Sequence, residues 1–499
     1  MKILNRYLKL PLLLLLCLLP ACDLQEVNVN PNESTAASVA VILPVAQANL
    51  VWAIGDYSAQ MTSVLLQQIT GVLLEWRNTT DYDYQPRFFN EPWNEKFYAG
   101  AMKDFNTIIQ ATSENGATHY RGVAKIQMAM SLGYVVDLWG DAPYATAFNL
   151  EGSPKPGFES GEELYNQIQL LLDEGIADLQ TTSTFSPSRN DIIYPAATES
   201  AWVTTSAPKW IRAARALKAR YYNHLSKVNP TQSATDALTQ IAAGTFTSNA
   251  DDAKAVFGNT NDQAGPWFGF LLGTFGQNNV AVAQEFINLL ENRVATGVDD
   301  PRLAYYVTDN FSNNVAQKDA DGNYRGTPYG ALATTTNPSR LGPYINTPAS
   351  PTNLITYTEV KFIEAEANQR LGNYDAAAAA FNEAVKSSIL RVTGAASPEY
   401  EAKYASETAE TMQAGGMEKI FTEKYIALFL EVEAWTDWRR SIPAGAPGNM
   451  SGIPRLTPSA TNATNGVFPR RFLYPQTELV NNAGNVPNLS LTDRVFWDK

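Results

Sequence analysis

Apolar residues return every third or fourth position along most of the chain, the pattern of helices with one buried stripe. In 93–111 (WNEKFYAGAMKDFNTIIQA), Phe97, Ala101, Phe105 and Ile108 share a face. In 118–138 the stripe runs through Val123, Ile126, Met130, Tyr134 and Val135 and stops at Gly140-Asp141-Ala142-Pro143-Tyr144. Ser160-Gly161-Glu162-Glu163 has the spacing of a capping box and opens a helix carrying Leu164, Ile168, Leu171, Leu172, Ile176 and Leu179. Residues 208–227 start with a proline, favoured in a first turn, and end in Lys227. Segments 357–371 and 374–392 flank a break at Gly372-Asn373, and 417–440 carry Phe421, Tyr425, Leu428, Val432 and Trp435 on one continuous stripe. Strand-like alternation is scarce. Stretches 181–206, 244–280, 296–353 and 441–499 are rich in Asn, Thr, Gly, Pro and aromatics and are too long for ordinary connections. They read as ordered insertions with short strands on a helical scaffold, where binding surfaces usually sit.

The amino terminus departs from this pattern. Lys2, Arg6 and Lys9 precede an almost wholly apolar run, Leu10 to Leu19, too short to span a bilayer but of the right length for a signal sequence. The run closes in Leu19-Pro20-Ala21-Cys22, a small residue before a cysteine, as in a bacterial lipobox. Residues 1–21 are therefore expected to be a lipoprotein signal peptide, Cys22 the acylated residue, 22–33 a polar tether and 34–499 a single domain. More than one acyl chain gives stable anchoring. Of 499 residues, 45% are apolar and 17% charged, enough apolar mass for a packed core. With 37 basic against 50 acidic residues the net charge is −13, which disfavours nucleic acid or anionic lipid as the main partner. Both cysteines lie within the first 22 residues, so the remainder can build no disulfide, thiolate metal site or cysteine nucleophile.

Catalytic motifs are lacking: there is no HExxH, no G-x-S-x-G and no GxxxxGK[ST]. His119 and His224 stand on helical stretches without nucleophile or acid at a suggestive spacing and read as structural. Asp319, Asp321 and Asn323 open like a calcium loop, but Tyr324 stands at the turn glycine and Gly330 at the closing glutamate, leaving an Asp-Gly turn at 321–322. No metal or other cofactor is expected. The charges Glu364, Glu366, Glu423, Glu431, Glu433, Asp437, Arg439 and Arg440 read as ion pairs that tie helices together. Trp93, Trp139, Trp210, Trp435 and Trp438 lie on or beside helical stripes and are expected in the core. Aromatics mixed with Asn, Asp, Gln and Arg are the stronger binding signal, because sugar rings present apolar faces to Trp and Tyr while their hydroxyls need polar partners. Two such stretches, 76–85 and 261–270, lie outside the long helical patterns. From them Trp76, Tyr82, Tyr84, Trp267 and Phe270 are expected to contact ligand.

Taken in order, these pieces resemble the SusD/RagB family, and its SusD-like branch of nutrient-binding lipoproteins most closely. The resemblance rests on Cys22 followed by NVNPN at 28–32, DLWGDAPY at 137–144, YTEVKFIEAEANQRLGNY at 357–374 with FNEAV at 381–385, EKYIALFLEVEAWTDWRR at 423–440, PRRFLYPQTE at 469–478 and RVFWDK at 494–499. The join Leu371-Gly372-Asn373-Tyr374 with Ala377, Phe381 and Ala384 is similar to the joint of a tetratricopeptide repeat. The resemblance implies a mostly α, single-domain fold of tetratricopeptide-like helix pairs with long irregular insertions and few short strands. It also implies a surface-exposed outer-membrane lipoprotein, held in the membrane through its lipid anchor only. Such a protein is not an enzyme: it captures an oligosaccharide, or alternatively a peptide, for a TonB-dependent transporter of the SusC type. A tetratricopeptide-like scaffold binding only protein, and a surface glycoside hydrolase using two carboxylates, are the competing readings.

Overall fold

In the computed structural model the helical stripes pair off in the order of the sequence. The structure describes residues 37–499 except 150, 151, 153, 274, 275, 277, 278, 309–322 and 332–338. The signal, Cys22 and tether assignments lie outside the described residues, as do Asp319, Asp321 and the Asp-Gly turn. Residues 39–499 pack as one unit.

The chain enters through α1 (Val39–Gly55) and α2 (Tyr57–Leu65), then β1 (Ile69–Gly71) and the short α3 (Leu74–Thr80). Val39–Leu65 is long and apolar enough to cross a membrane by composition, yet most of it is buried in the body and Asp56 divides it, so it serves as core. A π-helical stretch, Glu91–Met102, runs on into α4 (Lys103–Ala111), where the sequence pattern predicts one regular helix. The scaffold follows: α5 (Thr118–Trp139), α6 (Gly161–Leu179), α7 (Glu199–His224) and α8 (Pro230–Ala242). Each packs on the next, and α8 packs in turn on α12 (Tyr357–Arg370), then α13 (Tyr374–Thr393) and α15 (Ala409–Ala427), with α14 (Pro398–Tyr404) inserted beside α13. The array is thus continuous in space although the chain leaves it between α8 and α12. The departure holds β2 (Ala253–Ala255), α9 (Pro266–Leu272), β3 (Val280–Val282), α10 (Gln284–Leu290), α11 (Leu303–Tyr306), β4 (Val307–Thr308), β5 (Arg340–Leu341) and β6 (Thr352–Ile355). Its strands form antiparallel two-stranded ladders, β2–β6 and β4–β5 with one another and β3 with the earlier β1.

Local chemistry explains these elements. Ser160 and Glu163 make the reciprocal cap expected of them. Helices α5 and α6 touch at Gly122 and Gly175: a Cβ on either would lie 2.9–3.0 Å from the other's carbonyl oxygen, so only glycine permits this approach. The helix around 208–227 begins earlier than its proline suggests. Thr198 caps it by accepting from the Ala201 N–H, and Pro208 sits inside. The stripe at 417–440 is broken: α15 ends at Ala427 and α16 (Glu433–Arg440) starts anew. Between them Leu430 lies in the left-handed region at φ 64°, held by Gln68, whose Oε1 accepts the Leu430 N–H and whose Nε2 donates to the Tyr425 carbonyl. A residue from the distant β1 region therefore overrides a helical pattern.

The motif tryptophans and most of the motif charges are internal, while Glu364 and Glu431 are only half-buried and Glu364 pairs with Lys361 within its own helix. Trp93, Trp139, Trp210, Trp435 and Trp438 are at most 2% exposed. Arg440 pairs with Glu366 at 2.8 Å, Arg220 with Glu359 at 2.6 Å, Arg302 with Glu423 at 2.9 Å and Lys424 with Asp437 at 2.6 Å, all buried. The Arg439 guanidinium lies between the rings of Trp435 and Trp497, 3.8 and 4.6 Å from their centroids. The carboxyl-terminal segment closes this core: Phe472 N–H donates to the Leu138 carbonyl, Trp139 Nε1 to that of Leu473, and Trp497 Nε1 to Asp137. Motifs far apart in sequence thus meet at the end of α5.

Candidate functional site

Trp76 and Phe270, from different insertions, meet edge to face with ring centroids 5.2 Å apart. Tyr57 lies 5.7 Å from Trp76 on one side, and Trp267 lies 6.0 Å from Phe270 on the other. Short helices position these rings: Trp76 is on α3, and Trp267 and Phe270 are one turn apart on α9, where the sequence pattern suggests open loops. The structure therefore brings three of the five sequence-selected aromatics together. Trp76 and Trp267 are 2% and 6% exposed and form the floor; Phe270 is half-buried. Tyr82 and Tyr84, 1% and 7% exposed, turn away: Tyr82 packs near Phe468 and Tyr84 against Phe89. Burial pushes the Tyr84 phenol well above its usual range.

Two rings outside the stretches 76–85 and 261–270 extend this aromatic cluster. Trp52 and Tyr57, at the end of α1 and the start of α2, are half-buried. Trp52 lies against Gly269, where a Cβ would be 3.7 Å from its ring, and Lys96 Nζ stands 5.8 Å from the ring centroid. Lys96 also pairs with Glu91 at 3.2 Å. Asp56 accepts from Gln60 Nε2 at 2.7 Å. Burial raises its carboxyl to about 6, with Glu91 adding and the Gln60 bond and Lys96 opposing. Burial likewise raises Glu75, with Arg87 opposing. Burial, then Glu75 and Glu91, raises the Tyr57 phenol. The one sequence signal for this half of the cleft is the Gly55-Asp56 interruption of an otherwise apolar run.

Beside the rings the chain leaves Leu73, Leu74 and Leu272 at 49%, 63% and 42% exposure. Leu74 has φ 53°, a left-handed conformation that costs a non-glycine residue roughly 1–2 kcal/mol. Strain and exposed apolar side chains next to an aromatic cleft are the marks of a binding surface. Chemically, the arrangement offers ring faces for stacking and carboxylates that accept hydroxyl hydrogen bonds.

One other group invites attention. Asp137, His224 and Glu433 are buried with donor atoms close enough for a metal ion, the one such group among the described residues. Both imidazole nitrogens are already engaged, Nε2 with Glu433 at 2.7 Å and Nδ1 with the Tyr165 hydroxyl at 2.8 Å and Asp137 at 3.4 Å. Burial alone would lower His224, but Glu433 and Asp137 raise it to about 9. With every ring nitrogen paired to a protein partner, the group forms a buried ion-pair lock between α5, α7 and α16. His119 is also structural: Nδ1 meets Ser186 Oγ at 2.7 Å and Nε2 the Thr181 carbonyl at 3.0 Å.

Against known proteins, residues 31–475 match the SusD-like family described as "Starch-binding associating with outer membrane". No curated protein matches by sequence. Among solved structures, a chitin-binding protein is 21% identical with TM-score 0.71, covering 93% of this chain and 100% of its own. A SusD/RagB family protein from Bacteroides thetaiotaomicron gives the same identity and TM-score over 93% and 99%. A chitin-binding SusD homologue from Flavobacterium johnsoniae is 19% identical with TM-score 0.71 over 92% and 98%. At these identities the likeness is one of fold.

Proposed function

The chain belongs to the SusD-like family, and from that premise we propose that it is a non-enzymatic capture protein of the outer membrane. It is anchored through acylated Cys22 on the cell surface, binds an oligosaccharide and passes it to a SusC-type TonB-dependent transporter. The observation that carries this reading is the aromatic cluster of half-buried Trp52, Tyr57 and Phe270 packed with buried Trp76 and Trp267, with Asp56, Glu75 and Glu91 beside it. Rings that stack on sugar faces stand next to acceptors for sugar hydroxyls, the two requirements of glycan capture. Two of the similar structures carry chitin-binding names, which puts chito-oligosaccharides beside malto-oligosaccharides at the head of any ligand panel.

The test is calorimetric titration of the mature protein with both glycan series and with a peptide library, followed by product analysis of each mixture. Binding of a glycan without turnover supports the reading. Binding of peptides alone moves the ligand class, and release of cleaved sugar dependent on one carboxylate overturns the non-enzymatic assignment. Copurification from solubilised outer membrane with a large β-barrel protein is the expected result for the transporter partner, and its consistent absence removes the delivery step.

A further inference from the structure

Trp267 has a second side. It lines a cavity of about 30 Å³, walled also by Tyr134, Tyr344 and Phe429 and carrying the polar side chains of Thr352, Asn353 and Glu431. Its shape depends on close packing. Gly55 also borders it, and a Cβ there would sit 2.9 Å from the Thr352 side chain and 3.1 Å from Pro266. The opposite wall is the break between α15 and α16, where Leu430 is held left-handed by Gln68. That break presents Phe429 and Glu431 to the cavity. A chain that continued helically through 428–432 would not form this wall.

The polar groups are prepared but incompletely used. Glu431 Oε1 accepts from both Asn353 Nδ2 at 2.9 Å and Arg391 at 3.2 Å, while Oε2 has no partner among the described residues. Asn353 Nδ2 also reaches the Tyr344 hydroxyl at 3.5 Å. The Glu431 side chain keeps 17% exposure. A space of this size admits a water or one small polar group, not a sugar ring. We infer that the cavity behind Trp267 is a subsite for a single hydroxyl-bearing substituent, such as a hexose hydroxymethyl arm, of a glycan stacked in the adjoining cleft. Glu431 Oε2 accepts from that hydroxyl, Arg391 and Asn353 hold the carboxylate in place, and the aromatic walls exclude anything larger. The inference rests on the glycan-capture reading above.

The experiment is calorimetric titration of the mature protein with chitotriose and maltotriose, each beside its 6-deoxy counterpart. Glu431→Gln keeps the shape of the side chain and removes the carboxylate; Asn353→Ala is the second variant, should loss of the Arg391 partner prevent folding of the first. For whichever trisaccharide the wild type binds, either variant should lower affinity for the parent by about tenfold, the loss typical of an orphaned buried hydrogen bond to a charged group. The 6-deoxy compound should bind wild type and variants alike. Equal losses for parent and deoxy sugar, or no loss for either, overturn the subsite and leave the capture reading intact. Failure of the wild type to bind either parent overturns both.

Discussion

Phe270 and Trp76 touch, yet their substitutions should separate cleanly. Phe270 is half-buried at the cleft, so Phe270→Ala should weaken glycan binding by about 1–3 kcal/mol, by analogy with other ring-stacking contacts, with little change in melting. Trp76 is 2% exposed, so Trp76→Ala should cost about 3–5 kcal/mol of stability, and calorimetry of ligand and of unfolding on both variants distinguishes floor from contact. If Phe270→Ala leaves affinity unchanged, the cleft is not the binding surface. Leu74 is the opposite case, exposed and strained: Leu74→Gly should raise stability by about 1 kcal/mol in urea titrations, because it relieves a left-handed backbone while uncovering almost nothing. His224 supplies a pH dependence. Its folded pKa of about 9 exceeds its ordinary 6.5, so its contribution is complete below pH 6.5 and disappears as pH rises through 9. Burial opposes the Glu433 charge, but His224 and Arg220 hold the carboxyl at about 2, so that contribution persists above pH 4.5 and is lost toward pH 2. Urea midpoints should fall between pH 6.5 and 9 in the wild type, and His224→Gln should flatten that slope.

At the scale of elements, the long stripes are legible because helical periodicity survives any tertiary context that buries one face. The capping box at Ser160 and the Gly372 break are legible for the same local reason. The α15–α16 break is not, because its cause is Gln68, hundreds of residues away. Nor is the start of α7: its Thr198 cap lies upstream of a proline that suggests a helix start. The carboxyl-terminal segment gives the sharpest prediction here. Trp497 donates to Asp137 and Asp498 pairs with Lys227 and Arg470, so removing residues 495–499 takes the carboxylate partner from two largely buried cations and one donor from Asp137. Loss of one partner of a buried pair costs about 3–5 kcal/mol, and a truncation that breaks several should fail to give a cooperative thermal transition in circular dichroism. An unchanged melting curve would show that the lock holds without this segment.

For the whole molecule, the proposed anchor predicts that Cys22→Ala moves the protein from the membrane pellet to soluble fractions with its melting temperature unchanged; retention in washed membranes would contradict the acylation proposal. The helical class, the paired-helix scaffold and the family are determined by sequence alone, since periodicity and motif order are properties of the chain itself. The core roles of Trp93, Trp139, Trp210, Trp435 and Trp438 follow from their helical stripes in the same way. The cleft is a tertiary decision. Trp52 and Tyr57 come from α1 and α2, Trp76 from α3, and Trp267 and Phe270 from α9 in a separate insertion. Composition marks Tyr82 and Tyr84 as equals of Trp76, and all three are buried, but Tyr82 and Tyr84 pack toward Phe468 and Phe89 while Trp76 packs toward Phe270. Sequence records which side chains can stack on a ligand; which of them are left at a surface depends on what the rest of the chain covers, and that is fixed only when distant segments close on one another.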